Sequence, residues 1–448
     1  MGKRKNNWLI LYYIVTYIIY RLTLDVTYVY AVAPFYEYQH FVVVKNVGYY
    51  CFSFIWLLLL SLFDYKLHNS LRPSSSLMWF IDLLFFVPLT SMVGLAGFSA
   101  LFVVYVFCFW CLLALFYGTL PPYKKKFYLN MSKRPPRSIV IILSAIVLIN
   151  FLITIYYNGF KIKFDLADVY DIRLGVRDMH LPTIVGYIKP LATQFLIILL
   201  CICIIHKKYL LMILLTVVQL SNFAFGASKV DLFILLATYL IGFFYKDKYR
   251  LLLPLVLIAS NLIVFAETRF TDFSTIAALF HRRMLFMPPL LSSEYFSFFS
   301  SHEALYLRDS FLRFFGFSTP YSLEGARLIG YELYDSLDMN ANTGIVGDDF
   351  AQLRWFSLLV YPLLRVKIMQ VFDSCSCGLN DRVLFLITFS FSLSFISGSL
   401  FSILLTGGFI AVCLVLYLWK RSYRKKIRTK RIKKNKLINN QVGVIQFK

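Results

Sequence analysis

The sequence predicts an all-α, polytopic membrane protein with about twelve transmembrane helices, and three observations predict it. The first is composition. Of 448 residues, 59% are hydrophobic, 18% aromatic and only 15% charged, with a mean hydropathy of +0.69. A soluble domain of this length could not cover that much apolar surface, so the solvent is lipid. The second is run length: apolar stretches of roughly 17–25 residues, as a helix needs to cross hydrocarbon, alternate with short charged joints. The third is charge placement. Of the 46 Lys and Arg, 31 fall in segments that an alternating topology puts on one side, which the positive-inside rule assigns to the cytoplasm.

The spans drawn from these runs are 8–34, 46–63, 78–93, 97–117, 138–157, 184–205, 209–225, 230–245, 251–267, 353–371, 383–399 and 402–419. The first follows Lys3, Arg4 and Lys5 and imitates a signal peptide ending in Ala31-Val32-Ala33. Pro34 would follow the cut, and Arg21 and Asp25 interrupt the apolar run, so it reads as an uncleaved span. Arg21 and Asp25 are four apart on one helical face and are expected to neutralise each other. The last two spans share one 36-residue apolar run, Leu384 to Trp419, divided by Gly398 and Ser399. One helix of that length would overshoot the bilayer; a hairpin returns the chain to the cytoplasm. The expectation is a single integral membrane domain over 1–448, with both termini cytoplasmic. No internal repeat is visible, which argues against transporter folds built from duplicated halves.

The net charge of +23 is largely explained by a basic tail, 420–448, with twelve cations and no carboxylate. Beside so apolar a chain, such a tail is suited to anionic lipid headgroups, and no nucleic-acid partner is expected. The eight cysteines lie in apolar runs except Cys375 and Cys377. A Cys-x-Cys pair alone is too little for a zinc site, so all eight read as small packing residues.

Two segments on the predicted outer side are unusually polar. Asn158–Thr183 holds Asp165, Asp168, Asp171, Arg173, Arg177, Asp178 and His180. Residues 268–352 form a large periplasmic loop, in which Ala304, Leu307, Phe311, Phe314 and Phe315 follow helical spacing, as a helix lying in the headgroup layer would. Arginines on that side are exceptions to the charge rule: Arg173, Arg177, Arg269, Arg282, Arg283, Arg308, Arg313 and Arg327. A guanidinium matches phosphate oxygens with two parallel hydrogen bonds and stays charged at physiological pH. A row of them at the headgroup boundary suits a lipid-linked diphosphate; pairing with the loop's own acids is the plainer alternative. In His281-Arg282-Arg283, adjacent cations without a neighbouring acid point to an anion.

A second pattern, Asn342-Thr343-Gly344-Ile345-Val346-Gly347-Asp348-Asp349-Phe350-Ala351, leads into the tenth span. Its glycines allow tight turns, and Asp348 or Asp349 either caps the coming helix or faces a substrate. Lys229 and Asp231 mark the tip between spans seven and eight, as cavity lining or as an interface anchor.

The charged segments, the arginine-bearing loop and the Asn-Thr-Gly-x-x-Gly-Asp-x-Phe-Ala run together resemble Wzy-type O-antigen polymerases, which polymerise oligosaccharide repeat units. An Arg-x10-Gly spacing found in some members is absent at Arg173, Arg177 and Arg282. Arg177–Leu181 matches the short Arg-x3-Leu of related ligases. The resemblance implies a GT-C-like glycosyltransferase of the bacterial inner membrane. It would join undecaprenyl-diphosphate-linked oligosaccharides on the periplasmic face, with membrane lipids and a chain-length regulator protein as partners. Arg173, Arg177, Arg282, Arg283, Arg308, Arg313, Lys229 and Asn342 are then the candidates for diphosphate and substrate binding.

Such a reaction develops negative charge on the departing diphosphate, which fixed arginines stabilise most in the transition state. The acceptor hydroxyl needs a general base; the candidates are His180, His281, His302, Glu294, Asp348 and Asp349. Metal-dependent membrane glycosyltransferases carry paired acids in the first outer loop. Here Pro34–Lys45 offers Glu37 alone, so no metal and no other cofactor is expected. The competing readings are a lipid-linked oligosaccharide flippase, with arginines inside a helical lumen, and an O-antigen ligase using a lipid acceptor.

Overall fold

The computed structural model describes residues 2–121, 135–157, 182–226, 229–246 and 250–422. Among the described residues the chain is helical, with no β-strand. Among the described residues, nine helices are long and apolar enough to cross a membrane: Asn7–Phe35, Val47–His68, Ser74–Leu95, Ala100–Thr119, Arg137–Tyr157, Ile184–Ile205, Leu252–Thr271, Gly347–Ser376 and Leu400–Ser422. Two shorter apolar helices, Tyr209–Phe223 and Val230–Phe244, fall on two further expected spans. Asp381–Ser397 is a helix of 17 residues on another. The helix ends at Ser397, and the next begins at Leu400, where Gly398 and Ser399 were expected to divide the run.

The chain forms two compact units. The first comprises 1–121, 245–370 and 388–404. It contains α1 (Gly2–Thr27), α2 (Val47–His68), α3 (Ser74–Leu95), α4 (Ala100–Thr119) and α9 (Leu252–Thr271). The most apolar 18-residue stretch of α3 is wholly buried, as expected of a helix with apolar residues on every side. The expected Arg21–Asp25 pair forms. Arg21 also donates to the Thr90 carbonyl at 2.8 Å, and Asp25 accepts from Tyr50 at 2.9 Å, so one buried ion pair ties α1 to α2 and α3. These bonds offset part of the cost of a charge pair at this depth. Helices α1 and α9 run side by side in the same direction: Asn261 donates to Thr23 at 3.0 Å, and seven residues further on, in the turn that continues α1, Tyr30 meets Phe265 edge-on. Parallel neighbours must be separated by an odd number of crossings, and seven expected spans lie between them.

The second unit comprises 122–244, 371–387 and 405–448. It contains α5 (Arg137–Tyr157), α6 (Thr183–Ile205), α7 (Tyr209–Gly226) and α8 (Lys229–Phe244). Asn150 of α5 donates to Asn222 of α7 at 2.9 Å, and Thr154 reaches the same oxygen at 3.5 Å, a small buried polar contact between two apolar helices. A Cβ on Gly242 would stand 2.8 Å from the Ile204 Cδ1 atom, so glycine there eases the close approach of α8 to α6.

In the first unit, residues 268–352 are a packed structure. A π-helical segment, Ala277–Phe286, runs into α10 (Met287–Ser301), and α11 (Gly325–Tyr334) and α12 (Gly347–Leu353) follow. Phe296 of α10, Phe350 of α12 and Tyr105 of α4 stack together with ring centroids 4.3–5.4 Å apart. After α12 the chain turns at Arg354 and continues as α13 (Ser357–Ser376). One expectation is corrected: Ala304–Phe315 is not an interfacial helix. It forms turns and a short 3-10 helix, Leu312–Phe315. The N–H groups of Leu305 and Tyr306 go to the carbonyls of Ala351 and Gln352, and that of Leu307 to the Gln352 side chain. Those donors complete the end of α12, and Tyr306 and Leu307 lie in the left-handed region at φ 50° and 62°, through which an α-helix cannot run.

Candidate functional site

The geometry begins where α1 ends. Through a π turn, Tyr28–Val32, and a 3-10 turn containing Pro34, the chain reaches a second 3-10 turn, Glu37–Gln39, and then His40 in the left-handed region at φ 65°. Consecutive residues of this turn hold two different groups. Gln39 accepts a hydrogen bond from Arg282, whose guanidinium lies over the Tyr36 ring at 4.4 Å. His40 Nδ1 is 2.7 Å from Glu294 Oε1, and its ring stacks on Tyr334 at 4.9 Å and 22°. The Tyr334 hydroxyl donates to the two Glu294 oxygens at 2.9 and 2.8 Å. The Glu294 side chain is 12% exposed, whereas that of His40 is 48% exposed. A buried carboxylate is therefore joined to the surface by a histidine.

Burial raises the Glu294 carboxyl above its usual range, while the His40 and Tyr334 hydrogen bonds partly restore the charged form. Burial and the neighbouring carboxylate push the Tyr334 phenol up, so it stays a proton donor. A carboxylate moved toward neutrality is a stronger proton acceptor than a solvated one, and the half-exposed imidazole offers an exit for the proton.

The other expected base residues have different surroundings. His281 is buried, with Nε2 3.1 Å from Ser260 Oγ of α9, and burial lowers its pKa to about 4. His302 is exposed, stacks on Phe298 at 4.0 Å and bonds the Phe298 carbonyl. Asp349 is fully buried and bonds Arg365 through both oxygens, at 2.7 and 2.8–3.0 Å. It also accepts the Val346 N–H at 3.4 Å, which fulfils the capping role in the first turn of α12. Gln352 bridges Asp348 and Asp309 at 3.3 and 3.1 Å, and burial raises the Asp309 carboxyl.

Among the expected cations, Arg308 pairs with Glu303 at 2.5 Å and Arg313 with Glu324 at 2.8 Å, the plainer alternative. Arg283 is exposed, and no described carboxylate pairs with it. Asn342 is exposed beside buried Thr343. Lys229 opens α8 in the other unit. Arg173, Arg177 and His180 lie outside the described residues, as does the basic tail beyond Ser422.

The glycines of the Asn342–Ala351 run serve packing. A Cβ on Gly344 would fall 2.4 Å from the Phe395 carbonyl, and one on Gly347 2.9 Å from the Ser292 backbone. Sequence reasoning missed His40, Gln39 and Tyr334, although His40 is the only histidine in the Pro34–Lys45 stretch. It also counted Arg365 among the cations of a cytoplasmic joint, 365–382; the side chain is 1% exposed and belongs to Asp349.

Fold and composition define a polytopic α-helical membrane protein. No protein family, no curated protein and no solved structure matches the chain.

Proposed function

We propose that this protein is a metal-independent glycosyltransferase that polymerises undecaprenyl-diphosphate-linked oligosaccharide repeat units into a surface polysaccharide, in the manner of O-antigen polymerases. In this reading the chain crosses the bacterial inner membrane about twelve times in a GT-C-like arrangement, both ends are cytoplasmic, and the Glu37–His40 turn faces the periplasm. The observation that carries it is the pairing made by that turn: Gln39 with Arg282, His40 with Glu294. A fixed guanidinium and a buried carboxylate are the two groups the reaction asks for. Arg282, with exposed Arg283 beside it, would hold the diphosphate as charge develops on it. Glu294 would take the proton of the acceptor hydroxyl and pass it to His40.

The test is the lipopolysaccharide pattern of a strain lacking the gene. Loss of a polymerase leaves a single repeat unit on the lipid core. Loss of a flippase removes the O-antigen completely, and loss of a ligase leaves polymer on the carrier lipid with none on the core; either pattern overturns the reading.

A further inference from the structure

A furrow of about 450 Å³ runs between α1 and α9. Leu22, Val26 and Tyr30 line one wall, Leu262 and Phe265 the other, and Arg269 stands at its end. Leu22, Tyr30 and Leu262 are 44–53% exposed, and Arg269 is exposed without a partner among the described residues. At 1.5 Å per residue, the seven residues from Leu262 to Arg269 span about 10 Å and the eleven from Ile19 to Tyr30 about 16 Å. That is about half of a 30 Å hydrocarbon layer, the depth of one leaflet. The furrow is a single slot between two helices, apolar apart from Thr23 and Asn261, which bond each other, and cationic at one end. Its shape and charge fit one hydrocarbon chain bearing a phosphate.

Its wall and the candidate site share a support. Tyr30 belongs to the π turn Tyr28–Val32. From the same turn Tyr28 meets Phe286, the last residue of the segment carrying Arg282, at 5.4 Å. Ala31 is buried with Val264 of α9 and Ala277, the first residue of that segment. One turn thus supports both the furrow's head and the Arg282 segment.

We infer that this furrow is a binding site for the tail of one single-chain polyprenyl phosphate or diphosphate lipid, with Arg269 on its phosphate. The choice of lipid rests on the proposed polymerase reading; the site rests on the furrow. A two-chain phospholipid would seat at most one of its chains in this slot, whereas a single-chain carrier fits it whole.

The test uses the full chain in nanodiscs with undecaprenyl phosphate carrying a photoreactive group in its tail. Label is expected on peptides covering 19–30 or 261–269, with unlabelled undecaprenyl phosphate competing and phosphatidylglycerol failing to compete. Arg269→Gln should raise the concentration for half-labelling about tenfold, about 1.4 kcal/mol. Leu262→Trp should remove labelling by filling the slot, and Val256→Trp, exposed on the same helix outside the furrow, should not. Both tryptophans replace exposed residues, so a folded Leu262→Trp protein that labels normally overturns the site. Label on other helices, or equal competition by phosphatidylglycerol, overturns it too. If labelling behaves as expected while gene loss leaves the polysaccharide unchanged, the furrow stands and the polymerase reading falls; polymer loss with label elsewhere gives the reverse.

Discussion

His40 Nδ1 lies 2.7 Å from a Glu294 carboxylate oxygen, joining residues 254 positions apart in the chain. The bond sets a buried acid beside a half-exposed imidazole, and Tyr334 fixes both by stacking on one and donating to the other. If this acid removes the acceptor's proton, Glu294→Gln should lower kcat by about 10²–10⁴-fold with little change in KM. Steady-state rates on a lipid-linked repeat unit check it. Equal kcat in the variant would remove Glu294 from the chemistry.

The acidic limb of the rate profile should follow the same group. Glu294 must be ionised to act, and its pKa is raised by burial, so activity should be lost as pH falls through a value above 4.5, the ordinary glutamate range. Tyr334→Phe deletes a donor to the charged form and should move that limb to higher pH. A limb that stays in place in this variant would detach Tyr334 from the base.

The arginines should separate by their partners. Arg313, whose side chain is 63% exposed and paired with an equally exposed Glu324, should be replaceable by Ala within about twofold in rate, as exposed pairs are worth under about 1 kcal/mol. Arg282→Ala should abolish polymer with the protein still folded and inserted. Arg282→Lys should lose much of the rate, because a point charge cannot give the two parallel bonds of a guanidinium. Normal polymer in Arg282→Ala would reject its diphosphate role.

Asp349 and Arg365 should behave as structure. Each side chain is at most 1% exposed, so Asp349→Ala leaves a buried cation alone and should cost about 3–5 kcal/mol. The double variant Asp349→Leu/Arg365→Met should recover most of it. Thermal unfolding in detergent reads both; a stable Asp349→Ala protein without activity would instead make Asp349 a reactive group.

His281 gives a stability prediction with a definite sign. Its pKa falls from 6.5 to about 4 on folding, so the unfolded chain takes up the proton first. Stability is then present above pH 6.5 and is lost as pH falls toward 4, by up to about 3 kcal/mol for this 2.5-unit difference. His281→Gln should flatten that part of the melting profile. An unchanged slope would mean that His281 does not carry it.

How much of this was legible in the sequence depends on the range of the interaction. Span positions were readable because a helix in lipid must be apolar along its own length, and the Arg21–Asp25 pair because four residues make one turn. Asp349's cap was readable for the same reason. Its partner Arg365 was not, because it lies sixteen residues on, in the next helix beyond the turn at Arg354. The Glu294–His40 bond left no local signal: one histidine after Pro34 looks like any surface residue until the fold brings α10 to it. The Ala304–Phe315 spacing promised a helix, but docking on the end of α12 holds Tyr306 and Leu307 in the left-handed region, where an α-helix stops.

The most direct measurement is polymerisation by the purified chain in vesicles supplied with an undecaprenyl-diphosphate-linked repeat unit. Wild type should convert it to a ladder of longer chains on the carrier, while Glu294→Gln and Arg282→Ala leave the single unit. A wild-type protein that yields no ladder, or variants that extend as fast as it does, would contradict the assignment of glycosyl transfer to these two residues.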